Sequence, residues 1–276
     1  MRHKHRKRQT VIHYILSYIL MISIVVATVT IIGKYAFSSE RAILHAGEKS
    51  HYYFSLKNEI EQTAIDYAIP YGIDKTCIKG AFQISEVKSD VLKTTHEKVV
   101  GEKEIIDFGN IEKRIRTGVE NKEGKLNVAQ TKSLDSYIDK VKKMYFKKLH
   151  FPTEDFMVMS IKYSTKIAWI AIPLSMLIGL FCMVYLIASR HYAYHGIRRV
   201  VYGVMGAGAL ISIGFAAIIS NGSIYDYNIT DSYMKGFYVY WIGHALLMCV
   251  IAGIAILLIG LIGIFLAYRQ KYAIRN

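Results

Sequence analysis

Residues 11–33 read VIHYILSYILMISIVVATVTIIG, and residues 167–188 read IAWIAIPLSMLIGLFCMVYLIA. Neither stretch holds an Asp, Glu, Lys or Arg. A helix rises about 1.5 Å per residue, so roughly 20 apolar residues cross a hydrocarbon core about 30 Å thick. Val200–Ser220 and Trp241–Tyr268 have the same character. Apolar residues make up 53% of the 276, mean hydropathy is +0.24, and the apolar residues come in these blocks. Core helices of soluble proteins rarely run so far without a charge. The four blocks predict an all-α membrane protein. Its four transmembrane helices are separated, between the first and second, by a helical extracytoplasmic domain, Lys34–Lys166.

The charge pattern orients this arrangement. A net charge of +14 suggests nucleic acid until its distribution is examined. Residues 1–10 carry Arg2, Lys4, Arg6, Lys7 and Arg8; residues 189–199 carry Arg190, Arg198 and Arg199; the tail after Tyr268 carries Arg269, Lys271 and Arg275. These three segments contain no acid. The long segment 34–166 sets 23 bases against 19 acids, and 221–240 sets Lys235 against Asp226 and Asp231. Lys and Arg beside spans are retained on the cytoplasmic side. Four crossings put all three basic segments on one face, an agreement the hydropathy pattern does not impose. Both termini are therefore expected in the cytoplasm of a multi-pass plasma-membrane protein, and 34–166 and 221–240 outside. The basic arm is expected to touch phospholipid, at roughly 1 kcal/mol per basic residue near the surface. Nucleic acid is not an expected partner. Val11–Gly33 exceeds the 7–15 residues of a cleavable apolar region, which favours an uncleaved anchor.

Within 34–166, helical spacing continues from Lys34 to about Ile69, predicting that the first span extends as a stalk with Gly47 as its weak point. Pro70-Tyr71-Gly72 ends it. Asp74 is placed to cap a helix carrying Cys77, Ile78, Ala81 and Phe82, and Ser85 another carrying Val87 and Val91. Ile111, Ile115 and Val119 recur at four-residue steps after Asp107. Asn121–Lys132 reads as a loop. From Ser133, the residues Leu134, Ile138, Val141, Tyr145 and Leu149 form one face of an amphipathic helix. Lys140, Lys142, Lys143, Lys147 and Lys148 lie mostly on the other, a solvated face or a possible interaction surface. Cys77 is the only cysteine in the segment, so no internal disulfide holds it. Gly203, Gly206, Gly208 and Gly214 in the third span, and Gly253, Gly260 and Gly263 in the fourth, are expected to let the helices pack closely. The 221–240 loop and Trp241 form an aromatic belt.

Catalytic signals are sparse. His191 and His195, four residues apart, are weak metal candidates without an accompanying carboxylate or cysteine. His244 is an ionisable group just inside the fourth span and so a polar candidate. The sequence contains no P-loop, Gly-x-Ser-x-Gly or Cys-x-x-Cys, and no carboxylate sits within a span. No catalytic residue, cofactor or metal is expected.

Tyr71-Gly72-Ile73, Ser85-Glu86-Val87-Lys88-Ser89-Asp90-Val91 and Leu149-His150-Phe151-Pro152 resemble segments of a group of uncharacterised Gram-positive membrane proteins. Those proteins share the layout of one span, a helical outer domain and three spans, and the resemblance implies a monoderm cell membrane. In topology alone, the chain is also similar to permease subunits of mechanotransmitting ABC systems, which work with a separate ATPase. The expected function is non-enzymatic: an outer interaction or sensing module with a membrane or envelope protein partner. The alternative is a permease or channel subunit.

Overall fold

A computed structural model describes residues 2–100, 106–150, 154–189, 193–222, 226 and 232–275. Nine α-helices occur among them, with no strand: α1 (Arg2–Ile32), α2 (Glu40–Lys49), α3 (Tyr52–Ala68), α4 (Ile84–Val100), α5 (Gly109–Glu123), α6 (Val128–Leu149), α7 (Glu154–Ala188), α8 (Ala193–Ser220) and α9 (Ser232–Arg275). Among the described residues, four segments are long and apolar enough to cross a membrane: Val11–Phe37, Val158–Ala188, Gly196–Ser220 and Tyr233–Arg269. The protein is an all-α membrane protein whose helical domain falls, along the chain, between its first and second spans.

The chain divides into two units. The span unit comprises 1–42, 163–228 and 238–276. In it, Leu20 of α1, Cys182 and Leu186 of α7, and Val200 of α8 form a buried cluster, with Leu16 and Val204 packed against it. Backbone approach is close: a Cβ built on Gly203 would lie 2.9 Å from the Ser17 carbonyl oxygen. The few polar side chains bond within the unit. Ser17 Oγ donates to the Arg199 carbonyl at 2.9 Å, and Ser23 Oγ donates to the Ser175 carbonyl. The Trp241 indole N–H reaches the Phe37 carbonyl at 3.0 Å, and the two rings stack at 4.1 Å. In lipid such groups have no water to turn to, so internal pairing is the stable arrangement.

The helical unit comprises 43–162 and 229–237. Its core is built by heptad-like faces: Leu56, Ile60 and Ala64 of α3, Val87 and Val91 of α4, Ile111, Ile115 and Val119 of α5, and Leu134, Ile138, Val141 and Tyr145 of α6, all buried. Several buried polar groups bond across the core. The Tyr137 hydroxyl donates to the Ala64 carbonyl at 2.9 Å, and the Tyr145 hydroxyl to Asp90 Oδ2 at 2.7 Å. The Gly80 amide donates to Glu61 Oε1 at 3.0 Å.

Several boundaries differ from the sequence expectation. No continuous stalk leaves the first span. The helix widens into a π-helical turn at Gly33–Phe37 and breaks at Ser38-Ser39, where Ser39 Oγ accepts the Ala42 amide and opens α2. A second break falls at His51, held at φ 55°. Gly47 is a packing position rather than a hinge, because a Cβ there would meet the Tyr53 ring at 2.5 Å. Asp74 caps only a single 3₁₀ turn, Lys75–Cys77, and the left-handed Gly80 closes the segment before α4. The expected 121–132 loop shrinks to 124–127: α5 continues to Glu123, and α6 starts at Val128 under a reciprocal capping box of Asn127 and Gln130.

Candidate functional site

The helical unit carries a cavity of ≈ 390 Å³, within the size range of small-molecule sites. It is a half-open cleft between α3, the C-terminal part of α6 and the first turn of α9. Tyr52, Glu59, Thr63 and Tyr67 come from α3, Met144, Lys147 and Lys148 from α6, and Tyr233 and Met234 from α9. Helical periodicity explains the α3 wall: Tyr52, Glu59, Thr63 and Tyr67 recur at intervals of seven and four, so one side of α3 faces the opening. Its aromatic edge is continuous, with Tyr52 centred 5.7 Å from Tyr233 and 5.3 Å from Phe237.

Charge inside the cavity is organised by one long-range ion pair, Glu59 with Lys148, 89 residues apart in the chain. Burial alone would push the Glu59 carboxyl up. Hydrogen bonds from Lys148 and Tyr233 outweigh that and hold it below its usual value, so it is a carboxylate at neutral pH. Lys147, also on the cavity wall, is exposed and pairs with no carboxylate among the described residues. The polar walls therefore hold two lysine charges against one carboxylate.

The five lysines named from the sequence separate into three environments. Lys140, Lys143 and Lys147 follow at three- and four-residue steps and share one exposed face. Lys140 stands 4.4 Å over the Tyr67 ring and 6.0 Å from the Tyr71 ring. That contact joins the lysine row to the cavity, since Tyr67 serves both. Lys142 is exposed on another side of α6. Lys148 departs from the polar face and turns to the buried edge, toward Glu59.

His191 lies outside the described residues, and His195 belongs to α8 with its side chain outside them. Among the described residues no group of three or more His, Cys, Asp or Glu gathers to hold a metal. His244 is half-buried and stacks parallel to Tyr240, with centroids 5.9 Å apart. Sequence reading passed over His13, although the argument made for His244 applies to it equally. His13 is 4% exposed within the first span, and its Nε2 lies 2.7 Å from Ser189 Oγ. Cys77 is buried, and burial raises its thiol pKa, so it is a poor nucleophile.

No family model, curated protein or solved structure matches the chain.

Proposed function

We propose that this is a non-enzymatic integral membrane protein of the cell envelope whose helical domain, on the outer face of a Gram-positive-type plasma membrane, acts as an interaction or sensing module. One observation carries the reading: the domain combines a cavity with an adjoining row of exposed lysines, Lys140, Lys143 and Lys147, that pair with no carboxylate among the described residues. Several of its buried or half-buried polar groups are committed to holding its own helices together, as in Tyr145–Asp90, Arg114–Glu86 and Glu61–Gly80. What remains presented to solvent is a recognition surface. Both termini are cytoplasmic, as the acid-free basic segments support, and the basic arm lies against anionic phospholipid. The partner is a membrane or envelope protein.

Purification of the full chain from cells in mild detergent tests this reading. Envelope proteins should co-purify, and replacing Lys140, Lys143 and Lys147 together by Gln should release them without changing expression. A cytoplasmic ATPase co-purifying in stoichiometric amount would replace this reading with the permease one.

A further inference from the structure

We infer that the cavity between α3, α6 and the first turn of α9 binds a small organic monoanion carrying a flat ring. The inference rests on reading the domain as a recognition module and adds the chemical class of what it recognises.

Charge sets the sign of the ligand. Lys148 already matches the single charge of Glu59 through Oε1, so a cation gains little net attraction in the cavity. Lys147 is the uncompensated charge on the wall, with no acid partner among the described residues. A neutral ligand can offer that ammonium only an uncharged hydrogen-bond acceptor, the weaker of the two kinds of contact. One carboxylate or sulfonate balances it with a charge-assisted hydrogen bond. A dianion would leave one charge unmatched beside Glu59.

The walls set the shape. Tyr67 and Tyr233 present ring surface, backed by the buried Tyr52, Met144 and Met234. Aromatic faces reward a planar ring by stacking, and thioethers adapt to its outline. Tyr67 is further fixed in place by Lys140 above its ring. A flat ring therefore lies among the tyrosines with its acid group toward Lys147.

The test uses the purified full chain in detergent micelles and three probes: 2-naphthoate, the same ring as the cation 2-naphthylmethylammonium, and the neutral 2-naphthalenemethanol. Ligand-observed NMR should show saturable binding of naphthoate alone. Lys147→Gln should weaken it by about tenfold, the worth of one charge-assisted contact. Lys147→Arg should retain most of it, and Lys142→Gln, the same charge change elsewhere on α6, should leave it unaltered. Unchanged thermal unfolding of each variant shows that the fold is intact. Equal binding of the cation, an equal effect of Lys142→Gln and Lys147→Gln, or no saturable naphthoate binding would each overturn the inference. The partner captured from cells is read without any naphthyl probe, so the ligand class can fail while the recognition module stands, and the reverse.

Discussion

At the scale of single residues, the helical domain turns on one buried hydrogen bond. Asp90 is 5% exposed, and burial raises its carboxyl pKa, an effect only partly offset by the Tyr145 hydroxyl. The phenol in turn is pushed upward, first by burial and then by the neighbouring carboxylate, so it stays a donor at any physiological pH. The sign of the linkage follows. A group whose folded pKa is raised favours the native state most below its unfolded value, and that contribution is lost as pH rises through the folded value. The contribution of Asp90 to the stability of the domain should therefore decline as pH climbs above the ordinary carboxylate range, opposite in sign to that of Glu59, whose pKa is lowered. Asp90→Asn keeps an acceptor for Tyr145 and should flatten that decline. Tyr145→Phe strands the carboxylate and should cost about 1–3 kcal/mol near neutrality, less in acid, where the carboxyl is protonated. The rate at which a polar maleimide reaches buried Cys77 during thermal unfolding reports on this domain alone. A Tyr145→Phe cost independent of pH would sink the argument. Neither partner was legible in the sequence as half of a pair, because 55 residues separate them. Glu59 and Lys148 were hidden in the same way: Lys148 read as one more lysine on a polar face until α3 packed beside it.

At the scale of elements, periodicity made the buried faces readable and left the helix ends unreadable. The four-residue steps of Ile111, Ile115 and Val119 and the face of Leu134, Ile138 and Val141 are core in the structure, as their spacing requires. Helix ends depend on one or two local hydrogen bonds, and the Asn127-x-x-Gln130 box extends α6 five residues before Ser133. The supposed stalk failed for a related reason: an uninterrupted helical period does not reveal that Ser39 will cap a new helix or that His51 will take a left-handed conformation. Among the spans, the glycines do separable work. Gly203 meets the α1 backbone at Ser17, whereas a Cβ on Gly214 would meet nothing within 4 Å. Gly203→Leu should therefore force α1 and α8 apart and destabilise the detergent-solubilised protein by about 1–3 kcal/mol, visible as a lower Tm. Gly214→Leu, on the same helix, should leave Tm where it was. Equal shifts in the two variants would mean that α8 does not pack through Gly203.

At the scale of the whole molecule, spans were the most legible feature, since crossing hydrocarbon constrains composition over 20 residues at a time. The cavity was the least, because its walls come from stretches of chain as far apart as Tyr52 and Tyr233. The proposed side of the domain rests on charge alone: four crossings bring the acid-free segments 1–10, 189–199 and 269–276 to one face. Lys and Arg resist translocation, and short loops obey this bias most strictly. A single cysteine at Lys125 reads out that orientation. The site is exposed between α5 and α6, beside the left-handed Gly124, where a substitution leaves the packing intact. Cys77, Cys182 and Cys249 are buried, so background labelling is low. In intact cells a membrane-impermeant maleimide should label Lys125→Cys as fully as it does after lysis, while a reporter fused behind Asn276 should stay protected until the membrane is opened. Labelling at position 125 only after lysis would invert the molecule, place the lysine row in the cytoplasm, and remove the case for an envelope partner.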